Sequence, residues 1–105
     1  MALEITHNTE GGLVTVTAAG EVDLNTSPEL RDAILDAVQT CSSGVAVNLA
    51  EVIYMDSSGV ATLVEGLQAT TKNGHSFALT TPSDSVYKVL KLARLDSVFT
   101  IEQGA

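Results

Sequence analysis

The chain has 105 residues, of which 45% are hydrophobic, enough for one domain with a single core but not for a deep cleft between two lobes. Its formal net charge of -8 repels phosphate backbones and anionic membranes at long range, so we expect no nucleic-acid binding. No unbroken run of about 18 apolar residues could span a bilayer, so we also expect no membrane insertion. With one cysteine, Cys41, and no recognisable signal peptide or membrane span, the composition predicts a cytoplasmic single domain over residues 1–105 without disulfides.

The first elements along the chain are a β-hairpin and an amphipathic helix. Apolar residues alternate with polar ones over residues 3–18, and a Gly-Gly pair breaks the pattern, which predicts two strands joined by a turn. Residues 26–29 then resemble a capping box with an early helical proline, which favours a helix start. The apolar spacing of three and four that follows predicts a helix ending near residues 42–44.

The rest of the chain alternates apolar strands with helical patterns. Residues 45–49 would be apolar on almost all of both faces of a strand, which predicts a central strand of the sheet. Residues 52–55 are also mostly apolar, so we expect them to be buried as well. Helical spacing begins after Asp56, and a strand, a helix and a strand are predicted at 77–79, 82–93 and 98–101. The order predicts an α/β fold with an N-terminal β-hairpin and a mixed, mostly parallel central sheet of about four to five strands, with helices packed on it.

The most polar motif is Asp56-Ser57-Ser58-Gly59, which lies where a strand meets a helix. Unpaired N–H groups at a helix start favour negative charge, so this place would tolerate a phosphorylated serine. The alternative is an ordinary helix cap, since serine and aspartate are the preferred capping residues. Asp56 either caps the helix or orients a hydroxyl, and Gly59 permits close approach of the backbone.

The inventory of reactive side chains argues against an enzyme. A serine hydrolase needs a base, yet the only histidines are His7 and His75, and no Gly-x-Ser-x-Gly elbow surrounds Ser57. We interpret both histidines as solvent-facing residues, too few for a zinc site unless acids complete it. The sequence also lacks a glycine-rich phosphate loop. We therefore expect no catalytic residue, no metal site and no cofactor.

Two segments resemble the STAS-domain family, and in particular its anti-sigma-factor antagonists. Residues 20–23, Gly-Glu-Val-Asp, resemble the first signature of the family, and the run from 47–49 through 55–59 resembles the second. The resemblance extends from about Val14 to Ile101. It implies that Ser57, the serine directly after the aspartate, is the phosphorylation site and that Ser58 is a cap or helper.

The resemblance also implies partners and a mechanism. The unphosphorylated protein would bind an anti-sigma factor that is itself a serine kinase and so release a sigma factor or other target. Phosphorylation would end that complex, and a metal-dependent serine phosphatase would reverse it, with Mg²⁺ and ATP belonging to the kinase. The implied partner surface comprises Asp56, Ser58 and Gly59, joined by a neighbouring loop containing Asp23, Asn25 and Thr26. For Asp23 an ordinary turn remains the alternative.

Two further functions remain open from the sequence. One is a constitutive, unphosphorylated STAS subunit of a bacterial lipid-transport ATPase complex, and the other is weak nucleotide binding. The chain also departs from the family pattern twice. It stops at residues 102–105, where relatives often continue into a C-terminal helix, so we expect that helix to be short or absent. In addition, Arg94 stands before Leu95, where many relatives carry a glycine.

Overall fold

The structure is a computed structural model that describes residues 3–103. Five strands and three helices alternate much as the sequence predicts. Their bounds are β1 Leu3–Glu10, β2 Leu13–Val22, α1 Ser27–Thr40, β3 Gly44–Met55, α2 Ser57–Lys72, β4 Ser76–Thr80, α3 Asp84–Leu92 and β5 Thr100–Glu102. None of the helices in the described part is long and apolar enough to cross a membrane.

The five strands form one mixed sheet in the order β1-β2-β3-β4-β5. Strands β1 and β2 are antiparallel, and each later pair of neighbours is parallel. The hairpin turn uses Gly11 and Gly12 with φ of 57° and 86°, a left-handed conformation that glycine adopts without a Cβ clash. The predicted α/β fold with a mixed, mostly parallel sheet and an N-terminal hairpin is therefore confirmed.

Strand β3 is longer than its neighbour β4, and this difference shapes one end of the sheet. Only residues from Gly44 to Asn48 of β3 pair with β4, whereas the pairing with β2 continues to Met55. The register between β2 and β3 shifts twice, which a strict two-residue alternation cannot anticipate. As a result Ile53 and Tyr54 are 58% and 49% exposed, so the prediction of buried chain over residues 52–55 is wrong for these two.

A single hydrophobic core lies between the sheet and the helices. Helix α1 packs on β2 and α2, and α2 packs on β3 and β4. Helix α2 approaches its neighbours closely at Gly66, where an added Cβ would lie 2.8 Å from Ile34 Cγ2 on α1 and 2.8 Å from Phe77 Cε1 on β4. The fully buried large side chains include Leu30, Ile34, Leu49, Leu63, Leu79 and Leu90.

Helix α3 ends in a Schellman motif whose left-handed residue is not a glycine. The Leu95 N–H donates to the Leu90 carbonyl at 2.8 Å, and the Arg94 N–H donates to the Lys91 carbonyl at 3.0 Å. Arg94 has a φ of 60°, so the backbone adopts the left-handed conformation at the position where the family resemblance led us to expect glycine. Within residues 3–103 no helix follows β5.

Candidate functional site

The predicted site lies where β2 and β3 end side by side. Val22 and Met55 are register partners in these parallel strands, so the segments that follow them start at the same edge of the sheet. The Asp56 N–H donates to the Val22 carbonyl at 3.1 Å and ties the two segments together. The fold thus brings the loop of residues 23–26 next to the start of α2.

Asp56 is the N-cap of α2. Its Oδ1 accepts hydrogen bonds from the Ser58 backbone N–H at 2.9 Å and from the Ser58 hydroxyl at 2.5 Å. Its carbonyl accepts from the N–H groups of Gly59 and Val60 at 3.1 and 3.2 Å, which begins the helical pattern. The carboxylate is therefore engaged in holding the first turn of the helix.

These contacts also keep Asp56 ionised. The hydrogen bond from the Ser58 hydroxyl, helped by the backbone N–H groups of Ser58, Gly59 and Leu24, lowers the pKa of Asp56 below its ordinary value of 3.8. Partial burial acts in the opposite direction and does not reverse the shift. An ionised carboxylate with a lowered pKa is a good cap and a weak proton acceptor.

The two serines of the motif have different environments. Ser57, the first residue of α2, is exposed, and its side chain takes part in none of the side-chain hydrogen bonds found within residues 3–103. Ser58 is half-buried, and its hydroxyl is occupied by the bond to Asp56. Of the two serine hydroxyls, that of Ser57 is therefore the one open to an approaching molecule, and it has no competing side-chain hydrogen bond among the described residues.

Gly59 is required by packing at the base of the site. A Cβ at this position would lie 2.6 Å from Met55 Cγ and 2.7 Å from Val22 Cγ1, closer than side chains approach one another. The residue is buried. Its absent side chain lets the first turn of α2 rest directly on the ends of both strands.

The loop of residues 23–26 is held by its own side chains. The Asp23 Oδ1 accepts from the backbone N–H groups of Asn25 and Thr26 at 2.9 and 3.1 Å, and it lies 3.2 Å from the Thr26 hydroxyl. That hydroxyl donates to the Glu21 carbonyl at 2.8 Å. Asp23 and Thr26 therefore shape the loop from within, and the Asn25 side chain is exposed.

The predicted capping box at the start of α1 is wrong. Thr26 is the N-cap residue, but its side chain makes no capping hydrogen bond to the helix. Its hydroxyl is instead used in the loop, where it donates to the Glu21 carbonyl and accepts from the Asp23 N–H at 2.9 Å. The proline in the first turn has no backbone N–H, so the start of the helix has one N–H group fewer that needs a hydrogen-bond partner.

The sequence interpretation missed an exposed leucine in this loop. Leu24 is 75% exposed between Asp23 and Asn25, and its backbone N–H helps to stabilise the Asp56 carboxylate. The signal available in the sequence was a large apolar residue within a short polar turn. Such a residue has no neighbouring helix or strand against which its side chain could be buried.

The histidines lie outside the site. His7 is exposed on β1, whereas His75 is half-buried with its Nδ1 3.3 Å from the Sγ of Cys41, so its interpretation as solvent-facing is wrong. No group of three or more potential ligands in the described residues could hold a metal ion. A groove of about 670 Å³ between β1 and α1 includes none of the predicted site residues.

The comparison with known sequences identifies the family. The STAS domain family matches residues 4–104. The anti-sigma-B factor antagonist of Staphylococcus epidermidis is 30% identical over 104 residues, covering 99% of this chain and 96% of that protein. The protein of the same name from Staphylococcus aureus (strain NCTC 8325 / PS 47) is 29% identical with the same coverage. The chain therefore belongs to the STAS domain family, as its two motifs indicated.

Solved structures of anti-sigma factor antagonists share the fold. The protein from Mycobacterium paratuberculosis superimposes with a TM-score of 0.86 at 22% identity, covering 96% of this chain and 86% of that one. The antagonist SpoIIAA in its unphosphorylated form gives 0.82 at 21% identity, with coverage of 97% and 89%. The Bacillus cell fate determinant SpoIIAA in its phosphorylated form gives 0.75 at 21% identity, with coverage of 99% and 92%. At these identities the likeness establishes the architecture alone.

Proposed function

We propose that this protein is an anti-sigma-factor antagonist that works as a phosphorylation-controlled partner switch. In its unphosphorylated form it binds an anti-sigma serine kinase and so releases a sigma factor or other target. The observation that carries this proposal is the exposed, unengaged hydroxyl of Ser57 beside a Ser58 hydroxyl that the fold already uses. The names of relatives with 29–30% identity over nearly the whole chain support the same function.

The proposed modification is transfer of a phosphoryl group to Ser57. Its Oγ attacks the γ-phosphorus of the ATP held by the kinase, the bond to ADP breaks, and the hydroxyl proton passes to a base. Asp56 is poorly suited to be that base, because its pKa is lowered and its Oδ1 already accepts from Ser58. We therefore assign the base to the kinase and the positioning of the helix start to Asp56.

Phosphorylation of Ser57 would change the charge of the surface without breaking the fold. A phosphoserine brings roughly -1.5 to -2 charges, which the N–H groups at the start of α2 partly offset. In the complex, however, the new phosphate lies next to the phosphates of the kinase's ADP. Repulsion between these groups would end the association, and a metal-dependent serine phosphatase would restore the binding form by hydrolysis.

The proposed partner surface has an exposed part and a supporting part. Asn25 and Ser57 are exposed and available for contact, whereas Asp23, Thr26 and Ser58 are half-buried and Gly59 is buried. We propose that the supporting residues act by fixing the loop and the first turn of α2. A protein with these partners would act in the cytoplasm as a binding domain that catalyses no reaction.

The direct test is to map the phosphate. The purified protein is incubated with Mg²⁺-ATP and each serine-kinase anti-sigma factor encoded in the source genome, and the modified residue is located by tandem mass spectrometry. We expect one phosphate on Ser57, none on the Ser57→Ala variant, and a retained site in Ser58→Ala. Phosphate on Ser58 would refute the site assignment. No phosphate with any kinase would favour the constitutive subunit of a lipid-transport complex.

A further inference from the structure

We infer that the side chain of Leu24 is the apolar anchor of the partner surface and that acidic residues surround it. The partner that fits this surface is a kinase whose binding face has an apolar pocket with cationic residues around its rim. This inference rests on the proposed function and specifies the chemistry of the partner. Leu24 is 75% exposed, so its burial contributes little to folding.

The loop that carries Leu24 is fixed before any partner arrives. The Asp23 carboxylate closes it with hydrogen bonds to the N–H groups of Asn25 and Thr26, at 2.9 and 3.1 Å. The Asp56 N–H donates to the Val22 carbonyl at 3.1 Å, which ties the strand end that leads into Leu24 to the residue that precedes Ser57. An apolar side chain on a preorganised loop loses little conformational entropy on binding, which favours its use as an anchor.

Other apolar side chains are exposed at the same end of the sheet. Tyr54 is 49% exposed and is the register partner of Glu21, three residues before Leu24, and its neighbour Ile53 is 58% exposed. These three account for half of the six large apolar side chains that are exposed within residues 3–103. Exposed large apolar residues at the strand ends that lead to Ser57 are the composition expected in a protein interface.

The charge around this apolar group is negative. Glu21, Asp23, Glu51 and Asp56 come from the same two strand ends, and residues 1–30 and 32–71 contain neither lysine nor arginine. Arg31, the cation between those segments, has its Nε 2.9 Å from the Glu65 carboxylate on α2. A cationic partner face is therefore attracted to this end of the molecule, and an anionic one is repelled.

The two features predict separable effects on binding kinetics. An anchor that fills a pocket acts after contact, so its loss raises the dissociation rate. Long-range attraction acts before contact, so salt lowers the association rate. We expect Leu24→Ser to weaken binding about tenfold through dissociation, and to raise the KM of Ser57 phosphorylation while leaving kcat little changed.

The experiment measures surface plasmon resonance and phosphorylation kinetics with each purified serine-kinase anti-sigma factor of the source genome. The matched control is Leu92→Ser, because Leu92 is 78% exposed but lies at the end of α3 on a separate element. We expect this control to bind within about twofold of the unaltered protein. Thermal melts of both variants should match the unaltered protein, since neither side chain is buried.

The outcomes separate the anchor from the proposed function. Unchanged affinity of Leu24→Ser with Ser57 still phosphorylated would overturn the anchor and leave the function standing. Equal weakening by both variants, or binding that strengthens with salt, would likewise overturn it. Binding that depends on Leu24 without any phosphorylation would support the anchor and refute the phosphorylation switch. Absence of binding to every kinase would overturn both.

Discussion

The two adjacent serines of α2 differ in what their hydroxyls contribute to stability. Ser58 donates to Asp56, whereas Ser57 is exposed and unengaged. We expect Ser58→Ala to lower the free energy of unfolding by about 1 kcal/mol, because the carboxylate loses a charge-assisted hydrogen bond. Ser57→Ala is the matched control and should change it by less than about 0.5 kcal/mol. Urea unfolding measures both, and equal effects would contradict the assigned roles.

Asp56 gives the stability a defined dependence on pH. Its pKa in the folded protein lies below the ordinary value of 3.8, so its contribution is complete above that pH and is lost as the pH falls through the folded pKa. Asp56→Asn keeps a capping side chain but cannot titrate. We expect the free energy of unfolding of this variant to fall less on acidification below pH 3.8. Parallel pH profiles for the two proteins would show that the pKa is not shifted by folding.

Substitution of Gly59 tests how closely the first turn of α2 packs on the ends of β2 and β3. An alanine Cβ would lie 2.6 Å from Met55 Cγ and 2.7 Å from Val22 Cγ1. We expect Gly59→Ala to destabilise the fold by about 1–3 kcal/mol. In the Val22→Ala background the cost should be smaller, because one of the two clashing groups is gone. Additive effects in this double-mutant cycle would argue against a direct clash.

At the scale of elements, the end of α3 carries a residue that its backbone disfavours. Arg94 has a φ of 60°, a conformation that costs a residue with a Cβ about 1–2 kcal/mol. We expect Arg94→Gly to raise the free energy of unfolding by about 1 kcal/mol. The Arg94→Ala variant distinguishes relief of backbone strain from loss of the positive charge. Alanine removes the charge but retains the Cβ, so we expect no such gain in stability. Equal stabilisation by both variants would assign the effect to the lost charge.

Much of the element order could be predicted from the sequence because its helices and parallel strands have regular apolar spacing. The extent of β3 could not, since two register shifts interrupt the alternation and leave Ile53 and Tyr54 exposed. The side-chain cap predicted for α1 was wrong for a different reason. A hydroxyl in a capping position has several partners within reach, and that of Thr26 donates to the Glu21 carbonyl instead.

Part of the local structure at the candidate site could be predicted from the sequence. The position of Asp56 between a strand and a helix follows from local pattern, and the structure has it as the N-cap of α2. The difference between the two serine hydroxyls does not follow, because it depends on rotamers at the first turn. The contact of Cys41 with His75 and the exposure of Leu24 depend on tertiary structure, so no local pattern reveals them.

At the scale of the whole molecule, charge is distributed unevenly. Three of the five basic residues, Lys88, Lys91 and Arg94, lie on or just after α3, while the strand ends around Ser57 carry acids. In a chain of net charge -8, this arrangement would orient an approaching cationic partner toward the site.

We expect Glu51→Gln to slow association with the kinase by about twofold at low ionic strength, without changing dissociation. Glu51 is exposed, so the substitution should not perturb the fold. Stopped-flow association rates at several salt concentrations measure the effect, which should disappear at high salt. A change in the dissociation rate instead would mean that Glu51 makes a direct contact.

The proposed switch is tested most directly by the affinity of the same kinase for the unmodified and for the Ser57-phosphorylated protein in the presence of ADP. Isothermal titration calorimetry on the two forms should show binding weakened at least about tenfold by the phosphate, with Ser57→Asp weakened in the same direction and Ser57→Ala unchanged. Equal or tighter binding of the phosphorylated form would contradict the switch.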